Sequence, residues 1–213
     1  MGDNSAKYGF RQVRGYSGQT SPVEVTVATG YQAANDAASI NVGLSIGDPV
    51  KLVNDGSVAL ANSTQPAWGI IVGVKQFWDG SKIVSGSYVP GATAWSTLQE
   101  RRTILLVQPL DPLSVWEIDV DDKVTATTEA GYRAFVGANC THVCLGDNTT
   151  NASRPTANPR LDISLQAVTA SLLWRIFAIS QVTQDYDGSF VKLLVQANIG
   201  QQAGQAATTI AGI

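Results

Sequence analysis

The feature that most constrains the fold lies in the last third of the chain. Leu172-Leu-Trp-Arg-Ile-Phe-Ala-Ile179 and Phe190-Val-Lys-Leu-Leu-Val-Gln196 are apolar runs joined by Asp185-Tyr-Asp-Gly188. That joint is a turn signal, so the two runs read as paired, buried strands. Beyond them, Gly200 to Ile213 is made almost entirely of small and amide residues and has little with which to build a core. A β unit ending in an uncharged, extendable arm points to a protein that assembles with others, not to one that performs chemistry in a cleft.

The same signals recur upstream. Val23-Glu-Val-Thr-Val27 alternates apolar and polar residues, as a half-buried strand does. Gly47 to Pro49 reads as a turn, Val50 to Val53 as a strand, and Asn54-Asp-Gly56 as a hairpin turn before the return strand Val58 to Leu60. Ala67 to Phe77 is a further strand whose glycines suggest close backbone approach or a barrel bend. Trp78-Asp-Gly-Ser81 turns the chain into a short edge strand, Lys82 to Ser85. Arg102 to Gln108 is a buried strand, and Val115-Trp-Glu-Ile-Asp-Val120 alternates. Residues 146–160 are polar and proline-punctuated, a surface loop, while Ala33 to Ala38 has room for a short helix. Frequent turns with almost no helical periodicity predict an all-β fold, an antiparallel barrel or sandwich with extended N- and C-terminal arms. The arms are placed at 1–21 and 201–213. The β region between them, 22–200, is read either as one barrel or as two sub-barrels of about 22–100 and 101–200.

Composition narrows the function classes. Charged residues make up 15% of the 213 residues, well below the roughly 25% of average globular proteins. The formal net charge of −3 argues against a phosphate-backbone binder, so no direct nucleic-acid partner is expected. No run approaches the ~18 to 20 apolar residues needed to cross a bilayer, and no secretory signal is visible, which predicts synthesis in a cytoplasm and no membrane partner.

Few constellations offer chemistry. Cys140-Thr-His-Val-Cys144 would place both thiols and His142 on one strand face, but it is short of zinc ligands and reads better as buried thiols beside a satisfied histidine. His142 is the only histidine, and no nucleophile elbow accompanies it. Asp119, Asp121 and Asp122, and also Asp185 and Asp187, read as turn chemistry rather than calcium corners. Four Asn-x-Ser/Thr matches, at Asn62, Asn139, Asn148 and Asn151, read as chance in so polar a chain. Trp116 and Trp174 are expected in the core, whereas Trp78 and Trp95 lie near turns, where interface or ligand contact and core packing are equally open. The expectation is a non-enzymatic chain with no catalytic residue, metal or cofactor.

Gly47-Asp-Pro-Val-Lys-Leu-Val-Asn-Asp-Gly56 followed by Ala67-Trp-Gly-Ile-Ile-Val-Gly-Val74 resembles the small barrel of tailed-phage capsid decoration proteins. Leu106 to Ile118, Leu161 to Leu165, Leu173 to Ile179 and Lys192 to Asn198 are similar to segments of tailed-phage virion structural proteins. The resemblance spans 47–213. It implies a decoration or cement protein on the outer capsid surface of a virion, bound to the major capsid protein and assembled as a homo-oligomer, a trimer by preference. A head–tail connector or tail component, or a carbohydrate-binding receptor-recognition module, is the alternative. The partner contacts expected from the sequence are Tyr8, Phe10, Arg11, Arg14 and Tyr16 in the N-terminal arm, Trp78 and Trp95 on the body, and Gln201, Gln202, Ile210 and Ile213 in the tail.

Overall fold

The computed structural model describes residues 9–14, 21–28, 44–61, 65–86, 88–89, 101–111, 113–121, 128–145, 158–168, 172–181, 186, 191–200 and 208–209. The architecture is all-β with antiparallel sheets.

The first sheet contains β2 (Val23–Thr26), β4 (Pro49–Leu52), β5 (Val58–Leu60), β6 (Gly69–Trp78), β7 (Ile83–Gly86) and β9 (Ile104–Pro109). Its order is β2-β9-β6-β4-β5, with β7 paired to the far end of β6. A parallel bridge between Val27 and Val58 joins the two ends of that order, and Ala28 N–H donates to Val58 O at 2.8 Å. The sheet therefore closes into a small barrel. Its interior is filled by Val50, Val58, Ile71, Val74, Leu105 and Val107. A two-stranded pair, β3 (Leu44–Ser45) with β8 (Tyr88–Val89), contributes Leu44 and Val89 to the same core. At Gly69, a β-carbon would lie 2.5 Å from Val107 Cγ1, which is the close approach the glycines of this strand suggest.

The second sheet runs β1-β10-β14-β13-β11-β12. Its strands are β1 (Arg11–Arg14), β10 (Val115–Asp119), β11 (Asn139–Leu145), β12 (Asn158–Ala167), β13 (Trp174–Ile179) and β14 (Lys192–Ala197). Here a parallel bridge from Val120 to Leu161 brings β12 back to β10, with Asp121 N–H donating to Leu161 O at 2.9 Å. A second ring results, and β1 lies outside it. The helix α1 (Glu129–Arg133) is capped by the Thr128 hydroxyl and supplies Tyr132 to this core.

The two apolar runs of the last third pair antiparallel as expected, with Trp174 opposite Ala197 and Ile176 opposite Val195. They are buried on one face only, however, since Phe177 is 47% exposed and Arg175 half-buried. Several boundaries move. β9 belongs to the first barrel, so the division lies after Pro109 and not near residue 100. β12 starts at Asn158, inside the stretch read as loop. The N-terminal segment is not an arm throughout, because residues 11–14 are a strand of the second sheet. The tail turns back on itself, β15 (Ile199–Gly200) pairing with β16 (Thr208–Thr209). The short helix sought at 33–38 lies outside the described residues, while α1 had no periodic signal long enough to announce it.

Candidate functional site

The residues that combine polarity, burial and long-range contact converge where the two barrels meet. β6 explains why they meet at all. Successive side chains on a strand point to opposite faces, so Ile71 fills the first barrel while Ile70 turns outward and is buried in the core of the second. Leu110 N–H donates to Trp68 O at 2.9 Å and keeps the connection between the barrels against the first one.

His142, on β11, lies across this junction and is fully buried. Trp174 Nε1 lies 3.0 Å from its Nδ1, and Ala61 O of the first barrel lies 2.9 Å from its Nε2. An indole N–H only donates, so Nδ1 must accept, and Nε2 carries the proton given to the carbonyl. The ring is thereby held neutral in one tautomer, and burial pushes its pKa down to about 4. Both ring nitrogens are engaged, which leaves neither for a metal or a substrate proton. Cys140 is buried two residues away, and burial raises its thiol pKa further from the reactive range.

Phe10 completes the junction. Its ring centroid is 4.3 Å from that of Trp174 and meets His142 edge-on at 6.1 Å. Its N–H donates to Gly47 O at 3.0 Å, in a turn where Asp48 N–H returns to Ser45 O. The Asp48 carboxylate accepts from Ser45 N–H at 2.7 Å, and its complete burial raises its pKa well above the ordinary value.

From Phe10 the chain enters β1, which pairs with β10 through Arg11 opposite Glu117 and Gln12 opposite Trp116. Glu117 alternates outward from the core yet is only 6% exposed. One of its oxygens takes Arg11 Nη2 at 2.7 Å, and the other accepts from the Ser180 hydroxyl at 2.6 Å. Two positions on, Asp119 faces Lys192 of β14. Burial outweighs the attraction of Lys192 and Arg160 and raises its pKa to about 6. Every residue of the alternating segment 115–120 is buried, the polar Glu117 and Asp119 included.

Four of the expected partner contacts, Phe10, Arg11, Arg14 and Trp78, lie among the described residues. Phe10 is 3% exposed, seated in this chain's own core. Arg11 is spent on Glu117, while Arg14 ends β1 exposed. Trp78 is half-buried at the end of β6, with the Arg102 guanidinium 4.5 Å above its ring. Tyr8, Tyr16, Trp95, Gln201, Gln202, Ile210 and Ile213 lie outside the described residues. Trp116 and Trp174 are core residues as expected. Asn139 is buried in β11, where no glycan fits. Glu117, Ser180, Ala61 and Gly9 were not singled out by the sequence. Only Glu117 carried any signal, and its alternation with Trp116 and Ile118 pointed to solvent.

Among the described residues, no group of three or more His, Cys, Asp or Glu side chains is arranged to hold a metal ion, and no helix is long and apolar enough to cross a membrane. Fold and junction together define a two-barrel, all-β protein in which Trp174, His142, Arg11, Glu117 and Ser180 bond the chain to itself. Comparison with protein-family models, curated proteins and solved structures finds no match to the chain.

Proposed function

We propose that this chain is a structural virion protein, a capsid decoration protein that binds the outer surface of a major capsid shell and stiffens it. The observation that carries the reading is the junction. Phe10, Trp174, His142 and the Ala61 carbonyl fasten two barrels to each other through one stacked and hydrogen-bonded chain. A body built this way transmits force between two contact surfaces, which is what a cement protein must do. It also ties up the only histidine of the chain, the base that a Ser-His arrangement would use. The segment similarities at 47–74 and 106–198 point the same way, and many weak contacts over neighbouring subunits supply avidity without a deep site.

Trp78 does not favour a carbohydrate role, because Arg102 already covers one face of the ring that a sugar would stack on. The test is co-sedimentation of the purified chain with shells assembled from the major capsid protein of the same phage, followed by reconstruction of the particle. Shell-wide occupancy supports decoration. Occupancy confined to one vertex supports the connector alternative. Failure to bind either shells or tails removes the virion reading.

A further inference from the structure

The second barrel has an incomplete seam. Its ring closes only where Val120 meets Leu161, so the outer edge of β10 at Val115 to Glu117 is left for another strand. In this chain Gly9 to Arg14 fills it, and the fit is sequence-selective at three successive positions. A β-carbon on Gly9 would lie 2.7 Å from both Gly47 O and Pro159 Cδ. The Phe10 ring enters the core against Trp174, and Arg11 neutralises the buried Glu117. If the strand departs, Glu117 loses its cation and the core is open beside Trp174, where the Phe10 ring had packed, and an opened core is a costly state. The seam therefore demands an occupant, and the occupant it is shaped for is this segment.

Nothing in these contacts requires the segment to come from the same chain. Nine peptide steps separate Arg14 from Val23, where β2 begins. Such a tether spans roughly 30 Å when extended, against a radius of gyration of roughly 17 Å for a folded chain of this size. We infer that the seam is a strand-acceptor site for a second copy of this chain, whose Gly9–Arg14 segment fills it in trans so that two copies are joined by reciprocal strand exchange. Every contact made in cis is remade in trans, so exchange costs little beyond association and is favoured by high local concentration. The inference does not rest on the virion reading and holds for any assembly that concentrates the chain.

Charge reversal tests it in the full-length protein. An Arg11→Glu chain and a Glu117→Arg chain each place like charges together in cis. When mixed, they satisfy both seams only by exchanging segments. The expected result is a one-to-one dimer by light scattering, with a thermal midpoint above either variant alone. A mixture that behaves as the sum of its parts overturns the inference. Should either variant fail to fold, a chain carrying both Arg11→Cys and Glu117→Cys is refolded oxidatively as an equal mixture of isotope-labelled and unlabelled protein. Cross-linked 11–117 peptides of mixed isotope composition, rising with protein concentration, support exchange; only unmixed peptides at every concentration overturn it.

Discussion

Trp174 donates its indole N–H to His142 across 3.0 Å, and this one bond decides what the only histidine of the chain can do. It fixes Nδ1 as acceptor, which leaves Nε2 to donate to Ala61 O and carry the contact into the other barrel. Phe10 lies against both rings, so the bond is shielded from water on the side of the N-terminal strand. A group that sequence alone offers as a general base is a structural fastener.

Trp174→Phe removes the donor and leaves Nδ1 a buried acceptor without its partner. The expected cost is about 2 kcal/mol or more, since an unmet buried polar group loses its full solvation. His142→Leu should be less damaging in the Trp174→Phe background than in the natural chain, because the bond is already gone. Urea unfolding of the four chains of this cycle measures the coupling; purely additive losses would show that the bond contributes nothing.

The histidine also sets an acid dependence. Its folded pKa of about 4 lies below the ordinary 6.5, so between those values the unfolded chain binds a proton that the folded chain does not. Stability from this group is complete above 6.5 and is lost as pH falls toward 4, about 3 kcal/mol in all. Asp119 and Asp48 act with opposite sign. Their folded pKa values are raised, so stability is present at low pH and is lost as pH rises through the folded value, about 6 for Asp119. The natural chain should show a flattened profile across this window. Asp119→Asn should steepen the acid loss and His142→Leu should abolish it, with urea midpoints at pH 7, 5.5 and 4.5 as the measurement.

Local pattern made most strands of both barrels legible, because turns such as Asn54-Asp-Gly56 and alternation such as Val23 to Val27 are written in adjacent residues. The ring closures were not, since Val27 with Val58 and Val120 with Leu161 are single bridges between distant segments. Glu117 misled for a related reason. Alternation with Trp116 and Ile118 correctly turned it away from the core, but the strand that buries it, β1, comes from about a hundred residues upstream. Phe10 was legible as a docking aromatic. Its dock is this chain's own core, and no local pattern distinguishes that from a partner's surface.

Cys140 offers a kinetic test of how tightly the second barrel is shut. The thiol is fully buried and its pKa is raised by desolvation, with Asp162 and Asp121 adding to the shift. Thiolate is the reactive species, so in a Cys144→Ser chain at pH 8 a thiol reagent should modify Cys140 only as fast as the protein opens. Labelling should accelerate with urea in parallel with global unfolding. Fast labelling in buffer, before any loss of tryptophan signal, would mean that β11 opens locally.

Two glycines separate conformational strain from steric fit. Gly56 has φ of +81° in the β4–β5 turn, and a β-carbon there meets nothing within 4 Å. Gly56→Ala should therefore cost only the left-handed backbone penalty, about 1 kcal/mol, and Gly56→Asn less, since Asn tolerates that region. Gly9 has φ of +58°, but its β-carbon would press on the Gly47 carbonyl and the Pro159 ring. Asn cannot relieve that collision. Gly9→Ala and Gly9→Asn should both weaken the seating of Phe10, by more than the corresponding changes at Gly56. Thermal unfolding of the four variants, with Trp174 fluorescence as a local reporter, checks the contrast. Equal losses at the two sites would mean that the N-terminal strand yields to the intruding carbon, and that the seam is less selective than its geometry indicates.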